Sequence, residues 1–540
     1  MRLRKSTKRG ATAASVAALL AAASLITASA SVADSDEKTL TADPLATWQT
    51  DGIVWSIEYA RGVVYVGGTF NTVRPPGAKP GQREVARKNF AAFDAVTGKL
   101  LSCAHRFTGA GSTVRALKAT ADGKMLYVGG SFANAGKARA ANAVALNTAG
   151  CSLRKDFRPK ISSTVRAIDV TKSAVYLGGD FTAVNGRERE RIVAFTRRGA
   201  LLPFKAEIEA PVRAISAAPE FGKIIVGGDF QLVNEDLEAS LVALHPRTGK
   251  TVAQYTDWLP ARSVVKALVR DKTKFYVAAE GNGTGIFDGR LAASLRTGKL
   301  VWRDTCLGAT QALALHNGVL YSGSHAHNCR DTPGGFPEHQ NRQHFLAQST
   351  RNRHILHWFP DTNEGIGEQN GPRAMAMAGG ILWAGGEFTT VNNRPQQSLT
   401  RFGAGPDRGT PENPPRLTAS VKSAGRVTLT WRAAWDRDDA ELKYLIYRDG
   451  VLVATRTGRS QEWNRPTMKY TDTVTPGSRH RYTIAVSDGQ NTTLRSQALT
   501  VTAVADKAAK TSKTSKTSKA SKASKASKPS KASKASTERR

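Results

Sequence analysis

An all-β protein is what this sequence predicts, and three observations carry the prediction. A stretch of alternating apolar residues ending in a glycine pair, "VYLGGDFTAVNG" at residues 175–186, recurs along the chain with a period near fifty residues. Each copy is flanked by further short segments of period two, with turn residues between them. A spare segment of the same kind stands ahead of the first copy, and the last copy is one segment short. Together these specify a seven-bladed β-propeller closed by an N-terminal strand. A β-sandwich and a Lys-rich tail are expected to follow it.

Taken in chain order, the first element is not part of the fold. "MRLRKSTKRG" is basic, "ATAASVAALLAAASLI" is apolar but short, and small residues offer cleavage after Ala30 or Ala33, so residues 1–33 read as a secretory signal peptide. No other stretch is apolar and long enough to span a bilayer as a helix. The mature protein is expected to be secreted, extracellular or cell-wall associated, without a transmembrane segment. Its four cysteines, Cys103, Cys151, Cys306 and Cys329, are then expected to form two disulfides.

The propeller is expected over residues 44–404. Its seven copies read "VVYVGGTF", "MLYVGGSF", "AVYLGGDF", "IIVGGDF", "FYVAAEG", "LYSGSH" and "ILWAGGEF", the fifth and sixth degenerate but in phase. Segments resembling "VRAI" precede the motif and segments resembling "RIVAF" and "LLPFKAEI" follow it, which makes four strands per blade. "PLATWQT", residues 44–50, is expected to complete the seventh blade and so remove a free sheet edge. The glycine pair is expected to let the second strand bulge and approach its neighbour. Phe70, Phe132, Phe181, Phe230 and Phe388 are expected between blades. The repeat pairs Cys306 with Cys329 inside blade six, and Cys103 with Cys151 as a staple between the fourth strands of blades one and two.

Residues 405–415, rich in Gly and Pro, read as a linker. From 416 to 504 the strands lengthen: "RVTLTWRAAW", "LKYLIYRDG", "VLVATRTG" and "HRYTIAVSDG". This region resembles a fibronectin type III domain, with Trp431 at the place of the core tryptophan and Tyr482 at that of the tyrosine corner. No RGD tripeptide occurs, so the resemblance brings no integrin-type adhesion. Residues 506–540 place one Lys at every third position among Ala, Ser, Thr and Pro, a composition expected to be disordered.

The formal charge is +34. Setting aside the five cations of the first 33 residues, and the twelve cations and two acids from Asp506 onward, leaves +19 for the folded part. A basic exported protein meets polyanions, and an anionic cell-wall polymer or polysaccharide is the expected partner, with a protein partner as the alternative. Nucleic acid is not expected, because no recognition helix or RNP-like pattern accompanies the charge.

Aligned copies place Trp55, Arg115, Arg166, Arg213, Lys266, Gln311 and Arg373 at one position of the first strand. The position just after the glycine pair holds Thr69, Ser131, Asp180, Asp229, Glu280, His325 and Glu387. A hairpin sets the two positions opposite each other, so Arg166–Asp180, Arg213–Asp229, Lys266–Glu280 and Arg373–Glu387 are expected as structural ion pairs. Arg115, facing Ser131, is the cation left for a ligand, with Trp55 and Gln311 as companion contacts.

Other chemistry has thinner support. Seven histidines crowd blade six, and His325 with His327 makes an H-x-H beside Asp331 and Glu338, a weak metal candidate without HExxH or CxxC. Asp257, Asp304, Asp361 and Glu364 are carboxylates placed for glycoside cleavage, with Asp361 and Glu364 the weak catalytic candidates. No nucleophile elbow or phosphate loop occurs, and no cofactor is implied.

"VYVGGTFNTV", "VYLGGDFTAVNG" and "LWAGGEFTTVN", with their "VRAI" and "TGK" companions, resemble the secreted bacterial β-propeller family with delta-60-type repeats. The resemblance implies the fold and brings no catalytic residue. The expectation is therefore a secreted or cell-envelope binding or scaffold protein whose propeller face grips a polymer or partner and whose basic tail contacts anionic wall. Two alternatives are a secreted glycosidase or accessory protein of polysaccharide degradation, and a metal-dependent propeller oxidase or lyase.

Overall fold

The computed structural model describes residues 37–281, 286–338 and 342–506. The expected signal peptide, His339 and the expected Lys-rich tail beyond Asp506 lie outside them. The chain divides into two compact units between Pro406 and Asp407. Both are built of small antiparallel sheets, and among the described residues the only helical element is one 3-10 turn at Pro219–Phe221. No helix among them is long and apolar enough to cross a membrane.

Seven hairpin-based sheets form the body of the first unit, with five smaller sheets of short strands beside them among the described residues. Their first and second strands are Ile53–Ala60 with Val63–Thr69, Thr113–Ala119 with Met125–Ser131, Val165–Val170 with Ala174–Gly179, and Val212–Ala218 with Lys223–Gly228. Sheets five to seven continue with Ser263–Arg270 and Lys274–Gly281, Thr310–His316 and Val319–Ala326, then Pro372–Ala378 and Ile381–Gly386. A third strand pairs with each second strand, and in sheets two, four and five a fourth completes the set. In sheets one, three and six the expected fourth strand shrinks to a single bridge, Phe93 with Leu100, Phe195 with Leu201 and Gln348 with Ile355.

Second strands are apolar on both faces because neighbouring sheets cover both, and all six residues of Ala174–Gly179 are buried. The repeat's aromatic anchors reach the next sheet: Tyr127 donates to the Arg197 carbonyl, Tyr176 to that of Pro246, and Trp383 to that of Ala95. The last of these runs from sheet seven to sheet one. First strands are likewise neighbours in order, each touching the next, and the strand of sheet seven touches that of sheet one. The sheets thus form a closed cycle, although no sheet closes into a barrel.

The glycine pair has two separate duties. A Cβ on the first glycine would strike the next sheet's first strand: Gly67 meets Val114, Gly129 meets Val165, Gly178 meets Val212, Gly227 meets Val265 and Gly385 meets Val54. A Cβ on the second would strike a carbonyl of its own hairpin, that of Ile53 for Gly68 and of Thr113 for Gly130. The expected bulge exists on the other strand. In all seven hairpins the register slips on the first strand, at Trp55, Arg115, Arg166, Arg213, Lys266, Gln311 and Arg373, while the second strand runs on without an extra residue. Where the pair is present the bare glycine backbone makes room for the kinked first strand rather than kinking itself, although sheets five and six bulge at the same position against Ala278–Ala279 and Gly323–Ser324.

The N-terminal segment joins the seventh sheet at fewer residues than expected. Pro44 bridges Phe402 and Leu45 donates to the Arg401 carbonyl, whereas Gln49–Thr50 turns away to pair with Thr72–Arg74 beside sheet one. Arg401, 3% exposed, ties the join: its Nη2 donates to the Ala46 carbonyl, its Nε to Thr47 Oγ1 and its Nη1 to the Val96 carbonyl.

In the second unit the strands Thr418–Ser423, Arg426–Arg432 and Thr467–Thr473 form one sheet. Val451–Arg459, Glu441–Arg448, Arg479–Ser487 and Leu499–Thr502 form the other, and one core takes Trp431, Tyr444, Tyr482 and Ile484 from both. The Tyr482 hydroxyl donates to Asp472 Oδ2 at 2.7 Å, a side-chain acceptor where a tyrosine corner has a backbone one. Arg448 bonds the same carboxylate, which keeps this buried acid paired.

Candidate functional site

The bulges decide what meets where the first strands converge. A bulged residue has no ladder partner and its side chain is re-aimed. Seven bulges at seven matching positions therefore send Trp55, five cations and Gln311 toward a common hub. Arg166 forks onto Asp180, with Nη2 to Oδ2 at 2.7 Å, and Arg213 does the same to Asp229 at 2.6 Å. Lys266 meets Glu280 at 2.5 Å, and Arg373 Nε donates to Glu387 at 2.9 Å. The last pair is the most enclosed, Glu387 being 0% exposed.

The hub groups also act on one another across sheets. Burial lowers Lys266 although Glu280 opposes it, and burial works to raise Glu280 until Lys266 and the Gln311 amide hold it below its ordinary value. Gln311 joins two pairs: its Nε2 donates to Glu280, and its Oε1 accepts from Arg373 Nη1 at 2.9 Å. Both ends of this amide are committed, so the structure assigns Gln311 a linking role where a ligand contact was expected.

Arg115 stands apart. Its guanidinium lies 3.8 Å from the Trp55 ring centre, and it donates no hydrogen bond to any described residue; its Nε is buried without an acceptor. Burial first, then the like charges of Arg166, Arg373 and Arg213, lower it to about 10, against an opposing pull from Glu368. It is still charged at neutral pH. Trp55 is fixed beneath it by a bond from Nε1 to Thr69 Oγ1 at 2.9 Å, which continues to Thr113 Oγ1. A cation held over indole, with positive neighbours and no acid bonded to it, is arranged to receive an anion. Beside the hub, Asp229, Gln231, Arg262, Ser263 and Glu280, with Ala261 and Val264 among them, line an open cavity of about 350 Å³.

The remaining candidates have other occupations. Asp361 accepts from His344 through both the backbone N–H and Nδ1, at 3.0 and 2.9 Å. Glu364 pairs with Arg342 at 2.8 Å. Asp304 is 1% exposed and holds the buried Arg290, closed off from any substrate. His325 is pushed down to about 4, by burial and then by Arg342 and His344, and His327 Nδ1 is bonded to Glu338 at 2.8 Å. These two histidines belong to no three-ligand cluster among the described residues; the cluster found there is Asp407, Asp438 and Asp439 in the second unit. Cys103 is bonded to Cys151 and Cys306 to Cys329. Sequence reasoning missed Glu368, which bonds Arg373 Nη2 at 2.6 Å, because it sits in a loop outside the repeat.

No protein-family profile and no curated protein matches the chain. Among solved structures, a puromycin-hydrolysing peptidase of Mycobacterium tuberculosis is similar at 12% identity and a TM-score of 0.34, over 74% of this chain and 60% of that one. The chain thus spans three fifths of that peptidase's length. A europium-containing methanol dehydrogenase is similar at 10% identity and a TM-score of 0.26, over 64% of this chain and 74% of that one. At these scores neither likeness bears on fold or activity.

Proposed function

We propose that the protein is an exported recognition protein of the cell envelope or exterior: a seven-bladed β-propeller of delta-60-type repeats, a fibronectin type III domain and a basic tail, with the propeller hub binding an anionic polymer. The cyclic contact order of the first strands, with sheet seven against sheet one, supports the propeller. Two β-sheets sharing one core around Trp431 and Tyr482 support the sandwich. Two disulfides suit an oxidising compartment.

The observation that carries the binding role is Arg115 stacked on Trp55 without an acid partner, in a hub where the other four cations have one. A hub evolved for stability alone would pair or delete the fifth cation, since an unpaired buried charge is costly. Calorimetric titration of the mature protein with polygalacturonate, dextran sulfate, polyphosphate and neutral dextran tests this. Anionic chains are expected to bind and the neutral one not to. Arg115→Ala is expected to weaken binding by about 10- to 100-fold, the loss of one charge-assisted bond. Anion binding that is indifferent to Arg115 would remove the hub from the function. The tail belongs to the same reading as a second, salt-sensitive contact with anionic wall, and deletion of residues 507–540 is expected to lower retention on walls at low salt.

A further inference from the structure

Glu368 gives the hub a ligand class, an inference that rests on the binding role above. Its side chain is 68% exposed, yet its carboxylate bonds Nη2 of Arg373, whose side chain is 4% exposed. Arg373 turns Nε and Nη2 to Glu387 Oε1, at 2.9 and 2.8 Å, and Nη1 to Gln311, and Nη2 reaches outward as well, to Glu368 at 2.6 Å. Glu368 is also the acid whose field reaches Arg115. A solvent-borne carboxylate thus already occupies the outward donor of one hub cation, next to a second cation with no acceptor at all.

Charge counting narrows what can replace it. The hub holds five cations, Arg115, Arg166, Arg213, Lys266 and Arg373, against four fixed acids, Asp180, Asp229, Glu280 and Glu387. With Glu368 seated the set is neutral; with Glu368 turned out it carries one positive charge. A single planar carboxylate restores neutrality, whereas a dianionic phosphate or a densely sulfated chain would place surplus negative charge beside those acids. The adjoining cavity has Asp229 and Glu280 in its wall beside Arg262, and these carboxylates, already bonded to Arg213, Lys266 and Gln311, keep lone pairs that suit hydroxyl donors.

We propose that the hub takes a uronate residue of an acidic polysaccharide: its carboxylate sits between Arg115 and Arg373 in the place Glu368 holds in the free protein, and sugar hydroxyls donate to Asp229 and Glu280. Glu368 is then an internal competitor that sets affinity and ranks the uronate above more highly charged anions.

The test titrates short oligogalacturonate, oligomeric dextran sulfate and inorganic phosphate into the wild-type protein, Glu368→Gln and Arg115→Ala, with thermal unfolding of each variant recorded beforehand. Glu368 lies in an exposed loop, so its variant is expected to unfold like wild type. An internal ligand that holds the site about nine-tenths of the time lowers apparent affinity roughly tenfold, so Glu368→Gln is expected to bind oligogalacturonate roughly tenfold more tightly. Wild type is expected to prefer oligogalacturonate to sulfate and phosphate. Unchanged or weaker binding in Glu368→Gln, or equal binding of the sulfated oligomer, would overturn the uronate assignment while Arg115-dependent binding left the recognition role intact. Binding that Arg115→Ala leaves unchanged would overturn both.

Discussion

Glu238 shows at the residue scale how little a local sequence says about a buried charge. In "NEDLEAS" it looks like surface, yet it is 2% exposed, and neither carboxylate oxygen has a hydrogen-bond partner among the described residues. The Gln254 amide is near without reaching ordinary bond geometry, and the Tyr255 hydroxyl is a buried orphan alongside. Burial, assisted by Asp236, raises Glu238 to about 7 from 4.5. The folded state therefore holds this proton more tightly than the unfolded one. The stabilisation is complete below pH 4.5 and is lost as pH rises through 7, a span of up to about 3 kcal/mol. Denaturant unfolding of wild type and Glu238→Gln between pH 5 and 8 checks this: wild type is expected to weaken with pH relative to the variant, and parallel curves would refute it. Arg115 differs from Glu238 in what could be read beforehand. Its lack of an acid opposite follows from Ser131 at the matching position, while its stacking on Trp55 depends on the approach of two sheets and has no local signature.

At the scale of the element, period two and the glycine pair make the strands legible, and hairpin register alone sets Arg166 across from Asp180. The bulge was less readable. Its strand follows from which backbone has room, and that depends on the carbonyl facing the second glycine. Sheet five limits this, because the same bulge forms at Lys266 where the pair is Ala278–Ala279. Gly130→Ala, whose Cβ would meet the Thr113 carbonyl, is expected to destabilise by about 1–3 kcal/mol, an overpacking cost, measured as a lower denaturant midpoint. The fourth strands were over-read. "LLPFK" carries alternating apolar residues, but in sheet three only Leu201 bridges Phe195, since Pro203 cannot donate to a ladder. Left-handed Asn89, Asn142, Arg191, Ser240 and Ser398 before the third strands were also hidden, because five copies use three residue types at this position.

At the scale of the whole molecule, the repeat made the all-β architecture visible, whereas the details of closure were not, because they involve single bonds between distant segments. Arg401 concentrates them, reaching Ala46, Thr47 and Val96 from one buried side chain. Arg401→Met keeps most of the bulk and strands those acceptors, so a loss of about 2–4 kcal/mol is expected in chemical unfolding. Arg61→Ala, at an exposed turn, is expected to stay within about 0.5 kcal/mol of wild type. A loss no larger for Arg401→Met than for Arg61→Ala would mean that the ends of the first unit are not held together there. The same closure brings sheets one, two and seven side by side and so gathers Arg115 and Arg373 at the one ring of Trp55, 3.8 and 5.3 Å from its centre. A crystal structure of the protein grown with oligogalacturonate tests that arrangement most directly. The expected result is a uronate carboxylate within hydrogen-bond distance of Arg115, with Glu368 turned away from Arg373. Sugar bound only at a site remote from the converging first strands, with Glu368 still seated on Arg373, would contradict it.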